Sequence, residues 1–204
     1  MNRIKPGYAI ATLALAAVLA SCGDATGPDT RPPSDLTILR VAATAPPLEE
    51  DEISFYAVRG QSREGRIYFL DSQGARGEEY LRLTFDGESI LNGADGLPIA
   101  VGDSVLITVR VVDPARVQFE FEPAGIIFNP LHMPELRIRY DEADHDFNND
   151  GQQNATDAQI ETELALWRQE VVGTPYLKLP TTLMIDLDEV EGLLPGFSRY
   201  AIAY

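Results

Sequence analysis

The chain has 204 residues, with 32 Asp and Glu against 16 Lys and Arg, a formal net charge of −16, two histidines and one cysteine. So acidic a composition argues against nucleic acid as a partner, because affinity there rests on basic side chains that neutralise phosphates. A single cysteine excludes an intrachain disulfide, so an exported domain of this sequence must hold itself by its core or by something such as a metal.

Residues 1–22, MNRIKPGYAIATLALAAVLASC, begin with Arg3 and Lys5, run apolar from Tyr8 to Ala20 and end in small residues before Cys22. A charged start, a short apolar middle and a small-residue site describe an export signal. A helix of that apolar run would rise only about 20 Å against a hydrocarbon core of roughly 30 Å, too short for a membrane span. Leu19-Ala20-Ser21-Cys22 resembles the lipobox of bacterial lipoproteins. The resemblance implies cleavage before Cys22, acylation of Cys22 and anchoring to the bacterial cell envelope through lipid. Aspartate directly after the cysteine often signals inner-membrane retention; Gly23 stands there instead, which leans towards the outer membrane or cell surface. Cleavage would remove Arg3 and Lys5 and no acid, leaving a net charge of −18.

Residues 23–35, GDATGPDTRPPSD, hold no large apolar side chain and are expected to form a flexible tether. Period-two patterns dominate from Leu36 to the end, the expected span of one β-sandwich domain, residues 36–204. "ISFYAV", "RIYFL" and "YLRLTF" are strand candidates separated by Gly and Asp clusters. "SVLITVRVV" is apolar on both faces and is expected near the middle of a sheet. In "VQFEFEP", Val117, Phe119 and Phe121 alternate with Gln118, Glu120 and Glu122; in "LRIRY", Leu136, Ile138 and Tyr140 alternate with Arg137 and Arg139. "TLMIDL" and "FSRYAIAY" supply two more strands. The fold class that follows is mainly β, an antiparallel sandwich of immunoglobulin-like type, with one inserted helix.

That helix is expected in "TDAQIETELALWRQEVV", where Ile160, Leu164, Trp167 and Val171 recur at spacings of four, three and four. Directly before it lies "HDFNNDGQQNATD", residues 145–157. With Asp146 at position one, Asn148 stands at three, Asp150 at five, Gly151 at six, Gln152 at seven, Asn154 at nine and Asp157 at twelve. A twelve-residue loop of this kind supplies calcium with hard oxygens from alternate positions, with glycine at six for the sharp turn and a backbone carbonyl at seven. The residues resemble the calcium loop of dockerin modules, which precedes a helix in the same way. The resemblance covers about 25 residues and implies Asp146, Asn148, Asp150, Gln152 through its carbonyl, Asn154 and Asp157 as Ca2+ ligands. Two features depart from it: the chain has one such loop rather than a tandem pair, and Gln153 occupies a place that is usually apolar. An Asn/Asp loop that makes its own turns through side-chain to backbone hydrogen bonds is the plainer reading of the same residues.

"FEPAGIIFNPLHMPELRIRY" resembles, through Pro123, Gly125, Phe128 and Pro134, a segment of the β-sandwich shared by ankyrins and netrin receptors, the ZU-five-like fold. The resemblance spans about residues 103–140 and implies a non-catalytic interaction module. Imidazole is a poor calcium ligand, so His145 is expected as an exposed loop histidine. With no thiolate and no second histidine at ligand spacing, zinc is not expected. No nucleophile elbow, phosphate loop or His-Glu-x-x-His pair occurs. Tyr80, Tyr140, Tyr200, Tyr204 and Trp167 are expected in the core rather than stacked on a sugar. The sequence therefore points to an exported, lipid-anchored, calcium-binding module without catalysis, its protein or glycan ligand unspecified. A glycan-active enzyme or carbohydrate-binding module and docking to a cohesin-type partner stand as alternatives.

Overall fold

A computed structural model describes residues 27–204. The export signal and Cys22 lie outside that range. In chain order the strands are β1 (Thr30–Arg31), β2 (Glu52–Val58), β3 (Arg63–Leu70), β4 (Arg76–Phe85), β5 (Ile90–Asn92), β6 (Ser104–Val111), β7 (Gln118–Glu122), β8 (Ile127–Phe128) and β9 (Glu135–Arg139). Helix α1 (Ala155–Glu161) follows, then β10 (Ala165–Gln169), β11 (Tyr176–Lys178), β12 (Thr181–Met184), β13 (Glu189–Leu193) and β14 (Arg199–Ala203). Two antiparallel sheets form the sandwich, one ordered β1-β11-β10-β14-β7-β6-β2 and the other β12-β13-β9-β4-β3; β5 and β8 make a small separate pair. No described helix is long and apolar enough to cross a membrane.

The alternating patterns explain the layers. Phe119 and Phe121 of β7 turn inward and are at most 1% exposed, as are Leu136 and Ile138 of β9 and Leu81, Leu83 and Phe85 of β4. Arg137 and Arg139 stay on the outer face, paired with Glu189 and Glu191 and with Glu78 and Asp141. Aromatic contacts join the layers: Tyr80 of β4 meets Phe119 of β7 at 5.4 Å between ring centroids, and Phe197 meets both Phe85 and Phe121. Each fully buried Leu or Phe contributes roughly 1.5–3 kcal/mol, so this layer carries the fold. Close packing shows at Gly65 of β3, where a Cβ would fall 2.2 Å from the Phe55 ring.

Three expectations need correction. The helix is two turns rather than four: it ends at Glu161, and Ala165–Gln169 is a strand between β11 and β14. Leu164 and Leu166 face the main core while Ala165 and Trp167 face a second cluster with Leu36, Tyr176, Ala201 and Ala203 on the other side of the sheet. A strand buried on both faces is an apolar run, and such a run satisfies helical spacing as readily as strand spacing. Val171, assigned by that spacing to the buried stripe, is 62% exposed in the turn after β10. The second correction concerns β6, which lies next to the edge rather than centrally; its outer apolar side chain Leu106 pairs with Tyr56 of edge strand β2 on an open face. Strand β14 takes the middle instead, with Tyr200 and Ile202 on one side and Ala201 and Ala203 on the other. The third is the tether: Thr30 and Arg31 pair with Leu177 and Tyr176, and the Arg31 guanidinium stacks 5.0 Å from the Trp167 ring.

Candidate metal centre

The Asp146–Asp157 loop sits where the chain leaves one layer for the other. It follows β9, interior to the five-stranded sheet, and leads through α1 into β10, interior to the seven-stranded sheet. Its backbone is wrapped around its own acids. The Asp146 carboxylate accepts the Asp150 N–H at 3.0 Å and the Gly151 N–H at 2.8 Å, and the Asn148 side-chain oxygen accepts the Asp150 N–H at 2.9 Å. The Asp150 carboxylate accepts the Gln152 N–H at 2.9 Å. Gly151 has φ +85°, the left-handed region that glycine enters without a Cβ penalty, and Asn149 takes φ +57°.

These turns bring five of the six predicted ligands together. The Asn148 and Asn154 amides reach the same Asp150 oxygen at 3.1 and 3.2 Å, and Asn154 also donates to the Gln152 carbonyl at 3.3 Å. The side chains of positions three, five and nine and the carbonyl of position seven thus converge on one small volume. That carbonyl is the main-chain oxygen expected at position seven.

Asp157 stands somewhat apart. Asn154 is the N-cap of α1, its side chain accepting the Thr156 N–H at 2.8 Å, and Asp157 completes the capping box by accepting the Asn154 N–H at 2.8 Å. The other Asp157 oxygen reaches across to the Asn148 N–H at 3.1 Å, so the carboxylate ties the loop's beginning to its end. Asp157 is 1% exposed. Burial pushes its carboxyl up, but the N–H groups of Asn148 and Asn154, with those of Phe147 and Asp157 itself, outweigh this and hold it below its ordinary 3.8.

Side chains distant in sequence fasten the loop to the sandwich, and the local motif gave no sign of them. Arg40 donates to the Asp144 carboxylate and the Asp146 carbonyl, both at 2.9 Å, and to the Asn149 side chain at 2.7 Å. Phe147 is 5% exposed and packs edge-on against Tyr204, whose hydroxyl donates to the Phe147 carbonyl. A phenylalanine amid polar residues was the one available signal, since only a loop pinned to a core has use for it. His145 is half-buried against Tyr140 and Phe147 rather than exposed as expected.

Other expected features fall away from this centre. His132 lies at the far side of the fold between Asp86 and Glu88, at 2.7 and 3.2 Å. Tyr80, Tyr140, Trp167 and Tyr200 are each at most 3% exposed, which removes them as sugar-stacking surfaces. Comparison of the chain with family models, with curated proteins and with solved structures finds no match.

Proposed function

We propose that the protein is an exported, lipid-anchored, calcium-binding module without catalysis, in which Ca2+ bound by the 146–157 loop has a structural role. The observation that carries this reading is the gathering of the Asn148 and Asn154 side chains on the Asp150 carboxylate, with the Gln152 carbonyl beside Asn154, inside a turn whose backbone N–H groups already hold the Asp146 carboxylate. Carboxylate, amide and main-chain oxygens at alternate positions of one tight turn are the donor types that suit a hard cation. The ion would neutralise the loop's own carboxylates, Asp146 and Asp150, whereas Asp144 already faces Arg40 and Asp141 faces Arg139. It would also brace the crossing from β9 to β10, which joins the two layers. Extracellular modules bind calcium at about 10⁻⁴–10⁻³ M, so in steady millimolar surroundings the site is about half to nine-tenths occupied at all times and does not signal. The lipid anchor at Cys22 rests on the lipobox alone; it would hold the domain at the envelope surface, where a binding or structural role fits the lack of a catalytic motif.

Calcium titration of the purified full-length protein in detergent tests the site. One equivalent is expected for the wild type and none for Asp150→Ala; stoichiometric binding that survives Asp150→Ala would move the ion elsewhere.

A further inference from the structure

Beside the loop, three groups from separate elements meet. His145 immediately precedes Asp146, Glu161 closes α1, and Asp188 sits in the turn into β13; one ligating atom of each lies within 4.8 Å of the other two. All three residues are half-buried. Among the described residues neither carboxylate has a Lys or Arg partner, and Arg139, the base at the end of β9, is committed to Glu78 and Asp141. The His145 ring lies against the Tyr140 and Phe147 rings, with centroids 6.1 and 5.6 Å away, and makes no hydrogen bond among the described residues.

Tyr140 builds this cluster from both ends. Its backbone N–H donates to the Asp188 carbonyl at 2.7 Å, which fixes Asp188 in a left-handed turn at φ +49°. Its hydroxyl, on a residue 1% exposed, donates to Glu161 Oε1 at 3.1 Å and so sets the orientation of that carboxylate. Two carboxylates drawn partly out of water with no cation beside them repel one another, and that cost is relieved by a divalent ion. An outer residue that orients a ligating carboxylate through a hydrogen bond is what metal centres require of their surroundings.

We propose that His145, Glu161 and Asp188 form a second metal site, distinct from the calcium loop, for a divalent transition metal of the zinc class, with Tyr140 as its positioning residue. The donor set decides the metal class. Calcium takes six to eight oxygens, whereas one imidazole nitrogen with two carboxylates suits zinc and its neighbours. Three protein ligands would leave a fourth, tetrahedral position to water. The site does not depend on the calcium reading, although His145 adjoins the loop and Glu161 ends the helix that Asp157 caps.

Cobalt serves as the probe, since Zn2+ is spectroscopically silent. The full-length protein in detergent, in excess Ca2+ so that the loop is either filled or inert, is titrated with Co2+ and followed by visible absorption. One equivalent of Co2+ is expected, displaced by one equivalent of Zn2+. His145→Gln and Asp188→Asn should each abolish the spectrum, and in chelator Asp188→Asn should melt no lower than the wild type, because it relieves the repulsion from Glu161 and asparagine tolerates the left-handed turn. Tyr140→Phe should weaken Co2+ by about tenfold or more, and Asp146→Ala should leave the spectrum intact. No spectrum at millimolar Co2+, or one that survives Asp188→Asn, overturns the proposal. So does a spectrum lost in Asp146→Ala and kept in His145→Gln, which would put the metal in the loop.

Discussion

Replacing Asp146 by Ala separates the two contributions the loop makes to stability. Without calcium, the substitution removes an acceptor of two backbone N–H groups, those of Asp150 and Gly151, at 3.0 and 2.8 Å. Both bonds are solvent-exposed, so each lies at the low end of the 0.5–1.5 kcal/mol range, and the loss in chelator is about 1 kcal/mol. With calcium, the wild type gains the linkage free energy of binding. At about 10 mM Ca2+ and a dissociation constant of about 10⁻⁴–10⁻³ M, that gain is roughly 1.4–2.7 kcal/mol. For a domain of this size each kcal/mol moves the melting temperature by about 2–4 °C. The wild type should therefore melt about 3–10 °C higher in calcium than in chelator. Asp146→Ala should show no such difference and sit slightly below the wild type in chelator. Thermal unfolding followed by circular dichroism reads both quantities. A variant that keeps the full calcium-dependent rise, or a wild type that has none, refutes the reasoning.

Asp157 predicts a pH dependence. Its carboxyl is held below its ordinary 3.8 in the folded chain, so it stabilises the fold above that value and the contribution is lost as pH falls through the lower folded value. The melting temperature in chelator should fall below about pH 4, more steeply for the wild type than for Asp157→Asn; equal slopes would remove Asp157 from the acid transition. Trp167→Ala should destabilise by about 3–5 kcal/mol, because the side chain is 1% exposed and its Nε1–H donates to the Ala203 carbonyl at 3.1 Å; near-neutral stability would argue that β10 is not the strand described. Cys22→Ser should release the protein from membranes on fractionation, and a variant that stays with the membrane pellet would contradict acylation at that residue.

The strands were legible wherever one face is buried and the other wet, because alternation of apolar and charged residues then has a single reading. Phe119 to Glu122 and Leu136 to Tyr140 are of this kind. Legibility failed where both faces are covered. Leu164 to Trp167 form a continuous apolar run, and only the pairing of Trp167 with Ala201 and Lys178, set by distant chain, makes it a strand. The pairing of two residues of the expected tether was hidden for a related reason: Thr30 and Arg31 carry no apolar signal, and their order comes from the edge of β11 and the ring of Trp167. The loop's local turns were visible because Asx side chains bond backbone two to five residues away. Its fastening by Arg40, and the approach of Asp188 to His145, join residues more than forty positions apart and leave no pattern in the sequence.

A single hard cation held by loop oxygens would brace the crossing between the two sheets. Crystals grown in ample Ca2+, with data collected at a long wavelength, test it through the anomalous difference map. A peak is expected about 2.3–2.6 Å from oxygens of Asp146, Asn148, Asp150 and the Gln152 carbonyl. A flat map there, with Asn148 and Asn154 still donating to Asp150, would contradict it.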